Sequence, residues 1–368
     1  MTSNIPDASS RTLPEIAWFA ALCDDDCEWL GVPDIALQSS FAHCRDIALH
    51  SQAGGFDNLL LPSGYELGID GTAFAGGLAP LLRGHDNAMR VLLALRCGEL
   101  WPPQLARQIA TLDQMLDGRL TINIISSALP GELLDSAARY ERTREVMRIL
   151  RTLLAGQALD HQGKHYQLRV PAPRVATVSG RCPPFYFGGL SEAARDVAAS
   201  DANVFLMWPD TMASLAATIA DLGARATRYG RRLRFGYRAH VIVRESQALA
   251  LEAAARLVSR VTPELGDAIR SRSLDHASAG VRRQAEMRDA ADDDGFVEDF
   301  LWTGIGRARS GAGAAIVGDP DQVLAKLRAY HALGFDAFIL SGYPHVQECD
   351  LFARYVLPRL PHAPLEFV

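Results

Sequence analysis

The stretch that decides the fold reads PPQLARQIATLDQMLDGRLTINII over residues 102–125. Its two prolines open a helical segment, because proline is tolerated in the first turn of a helix. The leucines and the isoleucine that follow recur at helical spacing and predict one buried face. Gly118 ends the helix, and an apolar strand follows from Leu120 to Ile125. A helix followed directly by a buried strand is the repeating unit of a parallel sheet.

The same order of signals returns along the rest of the chain. Pro320 begins a helix, Gly334 ends it, and Phe335 to Leu340 form a strand. Further buried strands are predicted at Ile16–Leu22, Asn58–Leu61, Val91–Leu95, Phe185–Phe187, Val204–Met207 and Leu233–Val243. About eight strand and helix units in one chain favour an α/β fold of the closed TIM (β/α)8 barrel type over a doubly wound sheet.

Two segments interrupt this alternation. Residues 156–182 contain several glycine and proline turn signals and are predicted to be a surface insertion. Residues 262–313 are charged in their first part and rich in glycine at their end. A connection of this length is predicted to be a long mobile lid loop or a disordered segment.

Composition excludes several classes of protein. The chain has 368 residues, a formal net charge of −6 and 48% hydrophobic residues, so it can bury a large core but lacks the basic footprint of a nucleic-acid-binding protein. Residues 1–13 lack the pattern of a secretion signal, and no apolar run reaches the length of a membrane span. We therefore expect a cytoplasmic protein without nucleic-acid or membrane partners.

The six cysteines lack paired spacing and are predicted to be free thiols. Cys23 and Cys27 enclose three aspartates, a pattern that could bind a metal ion. One cysteine pair without an accompanying histidine is a weak metal signal. A solvent-exposed acidic turn is therefore the favoured interpretation, and no metal is expected.

The predicted strand Leu233–Val243 carries two cationic side chains on one face. Its odd positions from 235 to 243 are apolar, whereas Arg238 and His240 occupy even positions. Because side chains alternate between the two faces of a strand, one face packs against helices and the other carries this pair. A buried arginine requires an anionic partner or access to water. The pattern therefore predicts a pocket for an anion.

Other candidate positions lie where predicted strands end. Gly189 and Ser191 connect a strand to a helix whose free amides could bind a phosphate, although an ordinary strand-to-helix turn is the alternative. Asn123 could face the barrel interior and contact a cofactor ring, or could tie neighbouring strands together. Trp208 and Tyr343 follow strands at the carboxyl ends, where barrels keep their active sites, and could otherwise be rim aromatics.

Several short motifs resemble one known family. They read LRFGYRAHVIVRE at residues 233–245, LWTGIG at 301–306 leading to RSGAG at 309–313, LSGYPH at 340–345, ARQ at 106–108 and PFYFGG at 184–189. Together they follow one order over roughly residues 14–360. In these motifs the chain is similar to the alkanesulfonate monooxygenases within the bacterial luciferase-like flavin monooxygenases.

The resemblance implies a TIM barrel forming one domain over residues 1–368. It implies reduced FMN from a separate NAD(P)H-dependent FMN reductase, dioxygen as co-substrate, and a homodimer or homotetramer. The leading hypothesis is oxidation of a small organosulfur anion through a flavin peroxide, most of all cleavage of an alkanesulfonate to aldehyde and sulfite. The alternatives are the same chemistry on a sulfinate or a sulfur-containing biosynthetic metabolite, and a flavin-binding protein without turnover.

The resemblance also assigns roles to particular residues. The catalytic and substrate positions of the family correspond to Trp208, Arg238, His240, Arg309 and Tyr343, and its flavin contacts correspond to Asn123, Tyr140, Gly189 and Ser191. The two arginines would hold the anion while the carbon–sulfur bond breaks. His240 would donate a hydrogen bond or act as an acid and base, and Tyr343 would orient or protonate the peroxide.

Three positions depart from the family pattern. Cys23 and Ser136 each stand where the family has a histidine, and Leu67 stands where it has a cysteine. The chain also ends at Val368, without the longer tail that can reach a neighbouring subunit. These departures concern the pocket wall and the flavin-phosphate site, so the substrate is not carried over from the family.

Overall fold

The computed structural model describes residues 12–64, 68–82, 89–129, 131–271, 278–309 and 311–367. The strands are β1 (Glu15–Phe19), β2 (Asn58–Leu61), β3 (Arg90–Arg96), β4 (Leu120–Ile125), β5 (Leu159–Gln162), β6 (Gln167–Val170), β7 (Phe185–Gly188), β8 (Val204–Met207), β9 (Arg234–Val243), β10 (Phe296–Glu298), β11 (Leu301–Trp302), β12 (Ala315–Gly318) and β13 (Ala337–Ser341). The α-helices are α1 (Phe41–Gly54), α2 (Gly71–Leu78), α3 (Pro102–Met115), α4 (Ser136–Leu154), α5 (Glu192–Asp201), α6 (Met212–Arg228), α7 (Gln247–Val258), α8 (Pro263–Ser271), α9 (Ala279–Asp289), α10 (Pro320–Leu333) and α11 (His345–Tyr355).

Eight of these strands form a closed parallel barrel. β1, β2, β3, β4, β7, β8, β9 and β13 pair in that order, and β13 pairs with β1 to close the ring. Helices follow most of these strands and cover the outside of the barrel. The predicted TIM barrel is therefore confirmed.

The helices begin and end where the sequence signals predict. α3 has proline in its first turn, and Gly118 adopts a positive φ of 77° before β4. α10 is capped by Asp319, whose side chain accepts from backbone amides of the first turn. In the described part of the chain, no helix has both the length and the apolar character needed to cross a bilayer.

β9 is longer than its neighbours and pairs with three of them. Backbone amides of Arg234 and His240 lie on the same edge, where they donate to Asn203 and Ala314. β12 therefore covers the part of that edge that lies beyond the end of β8. Tyr237 and Ala239 pack into the core between barrel and helices, as predicted for the odd positions.

The amino end of the barrel is closed by the last residues of the chain. Buried Glu15 accepts hydrogen bonds from the Tyr186 hydroxyl at 2.7 Å and from the Leu365 amide at 3.2 Å. His362 contacts Asp57 at 2.8 Å. Because this end is filled by the chain itself, the carboxyl ends of the strands form the accessible mouth of the barrel.

The two insertions have different structures. Residues 156–182 carry the antiparallel hairpin of β5 and β6 on the surface. Residues 262–313 are not a single long loop as the sequence analysis predicts, because they contain α8, α9, β10 and β11. The difference arises because α9 buries Met287 against Leu301 and Ala314 and Gln284 against Pro209, and this tertiary packing stabilises a helix whose own apolar face is weak.

Candidate active site

Arg238 projects from β9 into the mouth of the barrel. It is 7% exposed, and its guanidinium carbon lies 4.4 Å from the centre of the Phe19 ring. Its Nη1 and Nη2 donate to neutral groups, the Ala239 carbonyl at 2.6 Å and the Ser341 hydroxyl at 2.9 Å. Among the described residues, none places a carboxylate oxygen within 4.0 Å of it. Burial, together with the nearby Arg309, lowers the pKa of Arg238 to about 9. The side chain is therefore a buried cation available to an external anion.

His240 lies one step further along β9, and Ser341 determines its protonation. The Ser341 hydroxyl accepts from Arg238, and its oxygen lies 2.8 Å from Nδ1 of His240. The hydroxyl proton is thus directed to Nδ1, which assigns the remaining ring proton to Nε2. Burial, then Arg238, lowers the pKa of His240 well below 6.5, so the ring is neutral. Its Nε2–H meets no acceptor at hydrogen-bond geometry among the described residues, although the backbone of Ala312 lies close enough to the ring to oppose the fall in its pKa.

Tyr343 follows β13 and stacks on His240, with ring centres 5.2 Å apart. Its hydroxyl is buried and has no partner in the described part of the chain. Burial raises the pKa of Tyr343 well above 10, so the hydroxyl keeps its proton. A neutral hydroxyl donor therefore lies beside the neutral imidazole of His240.

Arg309 reaches the same mouth from the insertion and forms an ion pair with Asp25, at 2.5 Å between Nη1 and Oδ2. Its guanidinium lies 5.7 Å from the centre of the Tyr343 ring. The predicted solvent-exposed acidic turn is therefore wrong. Asp26 is 6% exposed, and the side chain of Asp25 is 15% exposed. The turn folds inward because Arg309, more than 200 residues away along the chain, stabilises the carboxylate.

Asp25 remains ionised in this setting. Burial raises its pKa, but the charges of Arg309 and Arg238 and the hydrogen bond from Arg309 lower it further, and the net result is a pKa below the usual 3.8. The mouth thus contains a permanent internal carboxylate beside its two arginines.

His345 is a further site residue that the sequence analysis did not select. It is fully buried, and its Nδ1 lies 2.9 Å from the Phe19 carbonyl. Its ring centre lies 5.4 Å from that of Tyr343, and its Nε2 lacks a partner among the described residues. Three polar atoms, on His240, Tyr343 and His345, are thus buried without partners in one place, which is typical of a ligand site.

Arg96 is a second residue that the sequence analysis missed. It ends β3, is 7% exposed, and donates to the Ser63 carbonyl at 2.9 Å and to the Ser127 hydroxyl. Cys23 lies near both Arg96 and Arg309, and burial raises the pKa of its thiol to about 12. The alternation used for Arg238 would also have placed Arg96 on the inner face of its strand.

Trp208 follows β8 but lies against the insertion. A Cβ built on Gly280 of α9 would lie 3.0 Å from its ring, and one on Gly311 would lie 3.9 Å from it. Buried Gln284 of α9 donates to the Pro209 carbonyl at 2.7 Å and accepts from the Gly313 amide at 2.9 Å. α9 therefore covers Trp208 and ties the segment after Arg309 to the barrel.

A second group of predicted residues meets at the start of α5. Gly189 has a φ of 148°, and a Cβ there would lie 2.9 Å from the Tyr140 hydroxyl. Ser191 caps α5 by accepting from the Ala194 amide at 3.2 Å. Glu192 turns away to pair with Arg225 at 2.6 Å. The helix amides and the close glycine backbone make a cradle that fits a phosphate.

The remaining predicted positions are less informative. Asn123 lies on β4 on the same side as Thr121, whose hydroxyl joins the polar network inside the barrel, so Asn123 faces the interior one layer closer to the mouth. Ser136 begins α4 and is exposed. Leu67 lies outside the described residues.

The arrangement can bind an anion between Arg238 and uncharged donors, and a phosphate-bearing cofactor at α5. The sequence matches the model of the luciferase-like monooxygenase family over residues 30–337. It is 62% identical over 358 residues to the sulfoquinovose monooxygenase of Novosphingobium aromaticivorans, which covers 95% of this chain and 98% of that protein. It is 47% identical over 357 residues to the sulfoquinovose monooxygenase of Agrobacterium fabrum, which covers 95% and 91%.

Among solved structures, the fold is similar to that of riboflavin lyase, determined with modified FMN and the substrate riboflavin. The TM-score is 0.77 at 15% identity, over 97% of this chain and 94% of that one. At this identity the likeness concerns the fold, and it agrees with the barrel described above.

Proposed function

Because this chain belongs to the luciferase-like monooxygenase family, we propose that it is the oxygenase of a two-component system that cleaves the carbon–sulfur bond of a sugar sulfonate. The two relatives named as sulfoquinovose monooxygenases support sulfoquinovose or a close analogue as the substrate. This replaces the simple alkanesulfonate of the sequence analysis with a hydroxylated one.

In the proposed reaction, dioxygen oxidises the carbon that bears the sulfonate. Sulfoquinovose is a glucose ring whose C6 carries the sulfonate, so cleavage leaves an aldehyde at C6 and releases sulfite. One oxygen atom of dioxygen enters the aldehyde and the other leaves as water. Reduced FMN, held at the α5 cradle, would supply the two electrons and activate the dioxygen.

The observation that carries the proposal is the buried, unneutralised charge of Arg238. Its guanidinium is buried and hydrogen-bonded to neutral groups, so a sulfonate supplies the missing negative charge. Planar nitrogen donors suit the oxygen atoms of a sulfonate, which carry its charge. The same contact stabilises the charge that passes to sulfite as the carbon–sulfur bond breaks.

His240 and Tyr343 complete the anion pocket. The Nε2–H of His240 and the hydroxyl of Tyr343 are donors without partners among the described residues, and they belong to stacked rings next to Arg238. Both groups are neutral, because burial lowers the pKa of His240 and raises the pKa of Tyr343. They would orient sulfonate oxygens without repelling or neutralising the charge of Arg238.

Gly189, Ser191 and Tyr140 would hold the FMN phosphate at the start of α5, and Asn123 would contact the flavin from inside the barrel. The close approach of Gly189 to Tyr140 leaves no room for a side chain at position 189. Since Ser136 stands where a histidine is expected, we propose that the oxidised cofactor is held weakly and that reduced FMN arrives from a separate reductase.

Sulfite release provides the test. The purified chain, a general FMN reductase, NADH and FMN should release sulfite from sulfoquinovose, and release from hexanesulfonate should be at least about tenfold slower. Arg238→Met should abolish release, whereas Arg169→Met, on the exposed hairpin, should not change it. Absence of sulfite from every sulfonate, in a preparation that binds reduced FMN, would contradict the proposal.

A separate titration tests the two-component part. Reduced FMN should bind more tightly than oxidised FMN under anaerobic conditions, and Gly189→Ala should weaken both by filling the cradle. Equally tight binding of both redox forms would favour a resident cofactor instead.

A further inference from the structure

The mouth of the barrel already contains one anion of its own. Asp25 pairs with Arg309 at 2.5 Å, and its side chain is 15% exposed. Arg238 lies close enough to influence the same carboxylate, but its hydrogen bonds go to Ala239 and Ser341. The charge of Arg309 is therefore compensated by Asp25, whereas no carboxylate among the described residues pairs with Arg238.

The side chains of His240, His345, Tyr343 and Cys23 add no net charge to the mouth. His240, His345 and Tyr343 are buried and neutral, since burial lowers the pKa of both imidazoles and raises that of the phenol. Burial also raises the pKa of Cys23 to about 12, so the thiol is protonated. Asp26, which accepts from the His345 amide, has a partner of its own in His43 at 2.8 Å and is not counted. The two guanidinium groups of Arg238 and Arg309 and the carboxylate of Asp25 therefore leave one positive charge among the described residues that face Tyr343.

Arg96 lies at the edge of the cluster and has its own partners. Its guanidinium donates to the Ser63 carbonyl and the Ser127 hydroxyl, and its Nε lies 3.9 Å from a carboxylate oxygen of Glu99. Its guanidinium is thus held by the Ser63 carbonyl and the Ser127 hydroxyl, with Glu99 as its nearest carboxylate in the described residues.

We propose that Asp25 is a specificity-determining residue that limits the site to singly charged oxyanions, so that sulfonates and sulfate esters bind and doubly charged phosphate esters are rejected. The inference rests on the proposed sulfonate function. A sulfonate keeps one negative charge throughout the neutral range and matches the charge of Arg238, which has no carboxylate partner within the described residues. The second charge of a phosphate monoester would meet the Asp25 carboxylate in a buried site, where like charges repel strongly.

This selectivity would keep phosphorylated sugars from competing with the substrate of the proposed reaction. Phosphorylated sugars are the common anions that share a ring, hydroxyl groups and a charged group at C6 with a sugar sulfonate. A site with two free arginines would bind a dianion better than a monoanion. Pairing Arg309 with Asp25 removes that advantage while keeping the Arg309 guanidinium beside Tyr343.

Two matched ligands test the proposal. Glucose 6-sulfate and glucose 6-phosphate have the same geometry at C6, but above about pH 7 the phosphate ester carries two charges because its second pKa is near 6. Each is measured at pH 8 as a competitive inhibitor of sulfite release and by calorimetry without turnover. Glucose 6-sulfate should bind at least about tenfold more tightly than glucose 6-phosphate.

Asp25→Asn removes the charge while keeping the shape. It should tighten glucose 6-phosphate by about tenfold or more at pH 8 and remove most of the discrimination, because Arg309 then becomes available. Glu28→Gln is the control, since Glu28 lies on the same segment but pairs with the exposed Arg256. An unchanged ratio of the two ligands in Asp25→Asn overturns the proposal, as does equal affinity in the native chain.

A measurement on the native chain avoids dependence on the folding of the variant. Between pH 8 and pH 6 a growing fraction of the phosphate ester is protonated from the dianion to the monoanion. Its affinity should therefore rise relative to that of glucose 6-sulfate measured at the same pH. In the described part of the chain, the ionisable groups around this site are Arg238, Arg309, Arg96, Asp25, Asp26, Cys23, Cys27, His240, His345 and Tyr343, and the sulfate ester reports any change in them. A constant ratio across this range counts against the proposal. If neither ester nor sulfoquinovose binds, the proposed function fails instead.

Discussion

The hydroxyl oxygen of Ser341 lies 2.8 Å from Nδ1 of His240, and this contact determines which nitrogen of the imidazole carries a proton. Ser341 also accepts from Arg238 at 2.9 Å. One hydroxyl on β13 therefore orients two side chains of β9. The proposed donor at Nε2 of His240 depends on a residue that need not touch the substrate.

Ser341→Ala should reduce turnover while leaving the barrel folded. Loss of the hydroxyl lets His240 adopt the other tautomer, which removes the Nε2 donor, and we expect kcat to fall on the order of a hundredfold. KM should change less, because Arg238 keeps its charge. Steady-state sulfite release measures both. Ser51→Ala, a buried serine of α1, is the control. A change in KM alone would mean that Ser341 acts only through Arg238.

Arg238→Met should abolish substrate binding without destabilising the protein, because an uncompensated buried cation is replaced by an apolar side chain of similar length. Arg244→Met is the contrasting variant. Arg244 forms two hydrogen bonds to Glu348, whose side chain is 2% exposed, and its loss should lower the free energy of unfolding by about 3–5 kcal/mol. Urea unfolding compares the two. Strong destabilisation by Arg238→Met would make Arg238 a structural residue.

The stability of the chain should fall as the pH drops below about 6.5. Burial lowers the pKa of His240 and His345 in the folded state, so the unfolded chain binds protons that the folded chain does not. Their contribution is complete above the unfolded pKa and decreases towards acid by up to about 1.4 kcal/mol per pH unit for each imidazole.

Urea unfolding at pH 7.5, 6.5 and 5.5 measures this slope. The double variant His240→Gln, His345→Gln should show a shallower pH dependence than the native chain, whereas His50→Gln, on the exposed side of α1, should not. Parallel curves for the native chain and the double variant would disagree with the neutral assignment of these histidines.

Gln284→Met should loosen the attachment of α9 to the barrel. The change leaves the Pro209 carbonyl and the Gly313 amide without their partner, at a cost of about 1–3 kcal/mol for each buried group. Because Gly313 lies just after Arg309, we expect kcat/KM to fall about tenfold while the affinity for reduced FMN is kept. Gln162→Met, on the exposed hairpin, is the control. An equal loss of FMN affinity would indicate general unfolding instead.

Sequence signals located most barrel strands to within a few residues. The strands at 58–61, 120–125 and 204–207 agree with the structure at both ends, and the predicted strand at 16–22 ends earlier, at Phe19. These predictions succeed because proline, glycine and side-chain alternation act over only a few residues. The inward direction of Arg238 and His240 follows from the same alternation.

The insertion was harder to predict. α9 is a polar helix, and its buried Gln284 contacts Pro209 and Gly313. No local sequence pattern predicts those contacts. Helices of this kind owe their stability to tertiary packing rather than to propensity. A mobile loop was therefore predicted where the described residues of this segment include the helices α8 and α9.

What the sequence alone determined is the barrel and the direction of the side chains on its strands, because both depend on short-range periodicity. What only the tertiary structure decided is which charges meet at the mouth. Asp25 was predicted to be part of an exposed turn, yet it is largely buried against Arg309, while Arg238 has no carboxylate partner in the described part of the chain. Loops without a repeating period bring these groups together, and the balance between their burial and their pairing appears only once all the strands are in place.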